Sequence, residues 1–252
     1  MSKKDDWLKE IRYNNNGEEM RIIRYSNYAD IDVQFADGTI VEHRTCSNFK
    51  AGRIKNPMTP TVWGIGFIGI GKFKPCDENG KITKCYNTWE NMLKRCYDSK
   101  YQEKHPTYKG CRVCEEWWNF QKFAEWYYSH FYELENERME LDKDILKKGN
   151  NVYSADNCIF VPSSINSLFT KCDKRRGEYH IGVYKKGNKF KAQLSKNGKQ
   201  IHLGLFNTTE EAFLAYKQAK EEYIKQIAEK WKAQIPQKLY NAMMNYEVEI
   251  DD

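Results

Sequence analysis

The chain has 252 residues, a net charge of +6 and a hydrophobic fraction of 40%, with a mean hydropathy of −0.86. That length accommodates two or three small domains, and no apolar run is long enough to span a bilayer. The opening Met1-Ser2-Lys3-Lys4-Asp5-Asp6 has no signal-peptide core, so a cytoplasmic setting without a membrane partner is expected, and the positive balance argues against an acidic DNA mimic.

Residues 1–60 read as a leader and a small β domain. Three strand-like runs, Met20–Tyr25, Ile31–Phe35 and Thr39–His43, follow a flexible turn at Asn14-Asn15-Asn16-Gly17, and Asp37-Gly38 between the last two runs is a hairpin signal. A β-meander or small barrel is expected. Residues 61–84 form a Gly/Pro-rich connection in which Gly64, Gly66, Gly69 and Gly71 alternate with Ile and Phe. No Lys-Ser/Thr follows at phosphate-loop spacing, so the stretch is expected to be a strand that curves or packs close to another backbone.

The middle region, 85–172, opens with helical spacing from Asn87 to Tyr97, where Trp89, Met92, Leu93 and Cys96 share a face. A second helix is expected from Cys114 to about Phe131. Its many aromatics predict burial against the Trp89 helix, with core packing favoured over a base-stacking platform. Cys111-x-x-Cys114 has zinc-ligand spacing that Cys85, Cys96 or Cys158 could complete. A second CxxC pair is missing, and small buried hydrophobes are the commoner role for such residues, so structural Zn²⁺ is a minor expectation.

Next comes Leu141-Asp142-Lys143-Asp144, then a Gly149-Asn150 turn, Tyr153-Ser154, Asn157-Cys158 and, after Pro162, Asn166. The order reads as strand, loop, strand, helix. A carboxylate at Asp142 and an amide at Asn166 could then address one hard cation through oxygen ligands, although an ordinary hairpin with polar turns gives the same pattern.

The segment from Tyr86 to Phe169 resembles the HNH-type (ββα-metal) endonucleases of bacteriophages and mobile introns. It shares Trp89-x-x-Met92-x-x-Arg95-Cys96-Tyr97, Tyr108-x-Gly110-Cys111-x-Val113-Cys114-x-Glu116-Trp117 and Phe120-x-x-Phe123, besides the late signature just described. The resemblance implies Asp142 and Asn166 as ligands of Mg²⁺ (or Mn²⁺), Asn157 as the brace of the loop, and metal-dependent phosphodiester hydrolysis. Many family members carry a histidine base after the first aspartate, where this chain has Lys143. Flanking carboxylates favour a charged lysine, so Lys143 is expected as a phosphate clamp, with Asp144 or a water chain as the base.

Residues 173–180 read as a basic linker. From Lys171 to Leu205 there are ten Lys/Arg against two acids, interleaved with Tyr, Phe and His, which suits nucleic acid. Over 181–235, strand candidates His180–Lys185, Lys189–Leu194 and Gln200–Phe206 precede a helix capped by Thr208 or Thr209. With Phe190, Ala192 and Leu194 inward, an outward set of Tyr184, Lys186, Lys191, Gln193, Gln200 and His202 could meet base edges and phosphates. Ile181-Gly182-Val183-Tyr184, His202-Leu203-Gly204-Leu205-Phe206 and the Ala212-x-x-Ala215-Tyr216 helix are similar to the plant ethylene-responsive-factor DNA-binding domain, in which the sheet meets double-stranded DNA. Many of that domain's arginines are replaced here by Tyr184, Gln193, Ser195 and Gln200, so no base preference is carried over. Residues 236–252 read as an acidic tail that shields the basic sheet or remains disordered.

Together these features predict an α+β chain: a small β domain, an HNH-like centre with aromatic helices, and a C-terminal three-stranded antiparallel sheet plus helix. Two functions follow. One is a phage-type homing or nicking endonuclease. The other is a catalytically silent DNA-binding regulator or counter-defence protein, of anti-CRISPR or related type, in the host cytoplasm, whose partner could be a host defence nuclease.

Overall fold

The computed structural model describes residues 3–169 and 178–250. It is a mixed α+β chain that divides into two compact units, Met1–Ser129 and His130–Asp252. The boundary falls inside the 85–172 span. Among the described residues no helix is long and apolar enough to cross a membrane.

In the first unit, α1 (Lys3–Leu8) precedes an antiparallel meander of β1 (Ile11–Tyr13), β2 (Glu19–Asn27), β3 (Asp30–Phe35) and β4 (Ile40–Arg44), closed by α2 (Cys46–Lys50). Alternation in β2 and β3 sends Met20, Ile22, Ile31, Val33 and Phe35 into a core with Phe49. The Asp37-Gly38 turn forms as its residues dictate: Gly38 takes φ +88°, and the Asp37 carboxylate accepts from Thr39 N at 2.9 Å. The first strand, β1, is an addition to the three expected.

Residues 61–84 are turns with isolated bridges, not the expected strand. Gly64 and Gly69, at φ +77° and +74°, interrupt extended backbone. Close packing does occur, against side chains: a Cβ on Gly66 would collide with Leu93 and Trp89. Buried Gln121 ties the loop down, donating to the carbonyls of Ile68 and Phe73 at 3.1 and 3.0 Å and accepting from Phe73 N at 3.0 Å.

Helix α3 (Lys84–Tyr97) is capped by Thr83 and buries Trp89, Met92, Leu93 and Cys96 along the expected face. It is followed by α4 (Ser99–Lys104) and a short strand β5 (Arg112–Val113). The continuous helix expected from Cys114 splits into a 3₁₀ turn, Glu115–Trp118, and α5 (Phe120–His130). Asn119 is the cause: its backbone is extended, and its side-chain oxygen accepts from Gln121 N at 2.9 Å. Trp117 packs against Phe123 and Trp126 at 5.1 and 4.7 Å, all three buried. These aromatics are core.

In the second unit, β6 (Met139–Asp142) runs through a long loop containing β7 (Val152–Tyr153) to β8 (Ile159–Pro162), which leads into α6 (Ser163–Asn166). β6 and β8 pair antiparallel, Asp142 opposite Ile159. A second antiparallel sheet is made of β9 (Val183–Lys186), β10 (Lys189–Lys196) and β11 (Lys199–Phe206), in the order β11-β10-β9. Helix α7 (Thr209–Trp231) starts in a capping box between Thr208 and Glu211. Its first half packs Ala212, Phe213 and Tyr216 on Val183, Ala192 and Leu194 of the sheet. Its second half packs Ile224 and Ala228 against Ile159 and Val161 of β8 and Ile165 of α6.

The stretch expected as an acidic tail is instead packed. Helix α8 (Gln237–Met244) buries Leu239 and Met243, four residues apart, and Val248 beyond it is buried against α7. The Val248 peptide receives Lys217 Nζ on its carbonyl at 2.7 Å and gives its N–H to Glu221 at 2.8 Å. Acids counted as a tail had concealed an apolar i, i+4 pair.

Candidate functional site

Two regions of the second unit hold all the site residues singled out by the sequence except the cysteines. The first is the β6–β8 hairpin with α6. Asp142 ends β6, and its Oδ1 accepts from the N–H groups of Asp144 and Ile145 at 2.8 and 2.7 Å, closing the strand in an Asx turn. Among the described residues no hydrogen bond reaches its Oδ2 and no ion pair neutralises it. Burial pushes the Asp142 carboxyl above the usual aspartate range, against the opposing pull of the two N–H groups and of the Lys143 charge.

Asn166 is tied to the same strand, but through a residue the sequence reading passed over. Its amide nitrogen donates to Glu140 Oε2 at 2.6 Å. Glu140 lies two positions before Asp142 on β6, so the two carboxylates share a face of that strand. The signal was available in the alternation Glu140-x-Asp142. Glu140 is also paired with Arg138, and Asn166 meets it through its amide nitrogen, while Asp142 lies two positions further along the strand.

Lys143 lies the other way. It is only 7% exposed, and its ammonium is bonded to both oxygens of Asp144 at 2.8 and 2.7 Å and to the Asn150 carbonyl at 2.9 Å, above the Tyr153 ring. Its N–H groups are thus turned on the loop, where the sequence had suggested a clamp reaching out to phosphate. Asp144 is half exposed and engaged by this cation. Asn150, also unanticipated, is the hub: its amide donates to the carbonyls of Lys143 and Val152, both at 2.8 Å. Asn157 completes the lattice by donating to Asn150 Oδ1 at 3.2 Å.

The second region is the face of the β9–β11 sheet turned away from α7. Register sets Lys191 between Tyr184 and Leu205, and Gln193 opposite His202. Tyr184, Lys186, Gln200 and His202 are exposed, and Lys191 and Gln193 half-exposed. The Lys191 ammonium lies 5.8 Å from the Tyr184 ring centre, and Gln193 donates to Gln200 at 2.7 Å. A bulge beside Ala192 inserts Leu203 into β11, which lets Leu203 join the core while His202 and Leu205 both face outward. Leu205, 44% exposed amid these polar groups, is a further member of the face.

In the first unit, Cys111 is buried with its thiol toward the Thr107 carbonyl at 3.8 Å, and burial pushes the Cys114 thiol up from its ordinary pKa. Neither belongs to a group of three or more converging His, Cys, Asp or Glu ligands among the described residues. The one such group is Asp30, Asp32 and His43. Arg24 already sits in it, with Nη2 at 2.6 Å from Asp32 and 3.0 Å from Asp30, and this pairing holds the Asp30 carboxyl at about 2 and depresses Asp32. That group is a satisfied ion-pair cluster.

The fold and these sites define an α+β protein with a carboxylate-bearing hairpin and a polar, cationic antiparallel sheet on one long helix. No family model, curated protein or solved structure matches the chain.

Proposed function

We propose that this protein binds double-stranded DNA on the outer face of its C-terminal sheet, and that the hairpin is an HNH-like ββα centre hydrolysing phosphodiesters with a divalent cation. Asp142 carries the reading: a dehydrated carboxylate whose Oδ2 accepts no hydrogen bond among the described residues, at the end of the first strand of a strand–loop–strand–helix unit. Asp142, Glu140 and Asn166 would hold Mg²⁺ or Mn²⁺. The ion would supply Lewis-acid polarisation of the scissile phosphate and charge for the leaving oxygen. The chain's own groups provide orientation: the Asx turn fixes Asp142, Glu140 holds Asn166, and the sheet presents Tyr184, Lys186, Lys191, Gln193, Gln200 and His202 to the duplex.

One observation favours a second reading. Lys143 occupies the histidine position and is engaged internally, so that position offers no water-activating base. A protein that keeps the DNA-binding sheet and has lost hydrolysis would act as a regulator or counter-defence factor, and a host defence nuclease would be a candidate target.

The deciding experiment is nicking of supercoiled DNA with Mg²⁺ or Mn²⁺, on a panel that includes related phage genomes, comparing wild type with Asp142→Ala. Cleavage that disappears in the variant supports the nuclease. Intact, salt-sensitive DNA binding without cleavage supports the silent binder. Loss of both leaves a protein partner and overturns the DNA reading.

A further inference from the structure

A second basic stretch lies in the first unit, outside the function proposed above. From Lys94 to Arg112 there are six Lys/Arg against two acids, interleaved with Tyr97, Tyr101, His105 and Tyr108. The end of α3 and the α4 turn that follows gather part of it into one group. The Lys94 ammonium lies 5.4 Å from the Trp63 ring centre and 5.8 Å from that of Tyr101. The Arg95 guanidinium lies 5.5 Å from the Tyr108 ring centre. Tyr101 stacks on His105 at 4.4 Å and meets Tyr108 at 5.9 Å. His105 ends the stack and is exposed, while Trp63, Lys94, Tyr101 and Tyr108 are half-exposed.

Cation–π pairs alone are ordinary surface packing. Two features set this group apart. Trp63 is held at φ +54°, a left-handed backbone that bulky side chains rarely take, in the turn closed by the Val62–Gly66 bridge. Its Nε1 donates to Glu90 at 2.9 Å, so a strained turn and a carboxylate of α3 together set this ring beside Lys94. The second feature is where the acids are. Glu90 is engaged by Trp63, and Asp98 accepts from Lys100 N and Tyr101 N at the start of α4. Glu103, two positions after Tyr101, lies on the far side of α4 from the stack, whereas Lys104, three positions after it, shares the Tyr101 face.

We infer that this cluster binds single-stranded nucleic acid, an unpaired base stacking on the His105 end of the rings while Lys94 and Lys104 meet the flanking phosphates. Rings interleaved with cations suit bases and phosphates together, whereas an acidic peptide would use the cations alone. Inside a duplex the base faces are covered by their neighbours, so the rings select unpaired nucleotides. The inference stands on residues of the first unit and does not rest on the duplex reading of the sheet.

The test is fluorescence anisotropy of the full chain with labelled oligothymidylate and oligouridylate of about 12 nucleotides. His105→Ala, at an exposed position, should weaken binding about fivefold or more, the loss of one stacked base. Lys94→Gln/Lys104→Gln keeps the aliphatic stems and should lower the slope of log affinity against log salt by about 1.4, two single-strand phosphate contacts. Lys191→Ala on the sheet should change neither quantity. Thermal melts check folding; should the double variant fail to fold, the exposed Lys104→Gln alone gives a slope change of about 0.7. A preference between the two oligonucleotides identifies the strand as DNA or RNA, and either supports the site. Absence of binding, or binding that the His105 and lysine variants leave unchanged, would overturn it. Polyglutamate bound as tightly as the oligonucleotides, with His105→Ala neutral, would also overturn it and mark a surface for acidic protein.

Discussion

Replacing Asp142 by asparagine separates what the residue does for the fold from what it does for a cation. The side-chain oxygen that accepts from Asp144 N and Ile145 N is present in asparagine and absent in alanine. At about 0.5–1.5 kcal/mol per hydrogen bond, Asp142→Ala should lose roughly 1–3 kcal/mol. Asp142→Asn should lose none of that, and it also removes a charge that burial disfavours. In chelator at neutral pH the order of stability should be Asn variant at or above wild type, and wild type above the Ala variant. The pH dependence has a definite sign. A carboxyl whose folded pKa is raised contributes stability that is complete below its unfolded value of about 3.9 and is lost as pH rises through the folded pKa. The advantage of Asp142→Asn over wild type should therefore be largest at neutral pH and shrink on acidification. Added Mg²⁺ or Mn²⁺ reverses the ranking: at a hundredfold excess over Kd the wild type gains about 2.7 kcal/mol, while neither variant responds. Differential scanning fluorimetry across pH, with and without metal, reads all of this. An Asn variant as unstable as the Ala variant, or one that keeps the metal response, would refute the assignment of the two oxygens.

Three further outcomes are expected. Lys143→Met keeps the aliphatic stem but leaves the half-buried Asn150 carbonyl and the exposed Asp144 carboxylate without their ammonium, so urea unfolding should show a loss of about 1–3 kcal/mol; Lys143→His should be similarly destabilised and should gain no cleavage. Asp30 and Asp32, depressed by Arg24, contribute stability above the unfolded aspartate pKa that is lost as pH falls toward about 2, so Arg24→Leu should move acid unfolding of the first unit to higher pH, read by circular dichroism. Lys191→Ala should leave the melt unchanged and lower the salt slope of DNA binding by about 0.9, the size of one phosphate contact.

What was legible in the sequence was local. The Asp37-Gly38 hairpin, the apolar stripe of α3 and the alternation of β10 depend on residues within one or two turns of each other, and the structure forms them. The errors came where distant partners decide. The strand expected through Gly64–Gly71 is a loop because Gln121, some fifty positions later, binds its carbonyls. The acidic tail is a helix and clamp because α7 offers Lys217 and Glu221 to the Val248 peptide. In the hairpin, residue types indicated Asp142, Asn157 and Asn166, yet Glu140 and Asn150 remained hidden. Their roles depend on strand pairing and on a loop crossing that no fixed spacing encodes.

Lys143 shows how a residue's type leaves its direction open. Its neighbours Asp142 and Asp144 favour the charged form from sequence alone, and a charged lysine beside a phosphate site reads as a clamp. The structure supplies the missing constraint, which is direction. Lys143 lies just past the end of β6, in the Asx turn that Asp142 closes, and its side chain turns toward the loop. There the ammonium meets Asp144 and the Asn150 carbonyl, and the loop that carries Asn157 closes around it. A histidine base would need to face the cation with Asp142. On the silent-binder reading proposed above, gaining hydrolysis would take more than exchanging the side chain: the backbone after Asp142 would have to turn the new residue toward β6's acidic face, and the Asn150 lattice would need another donor at its centre.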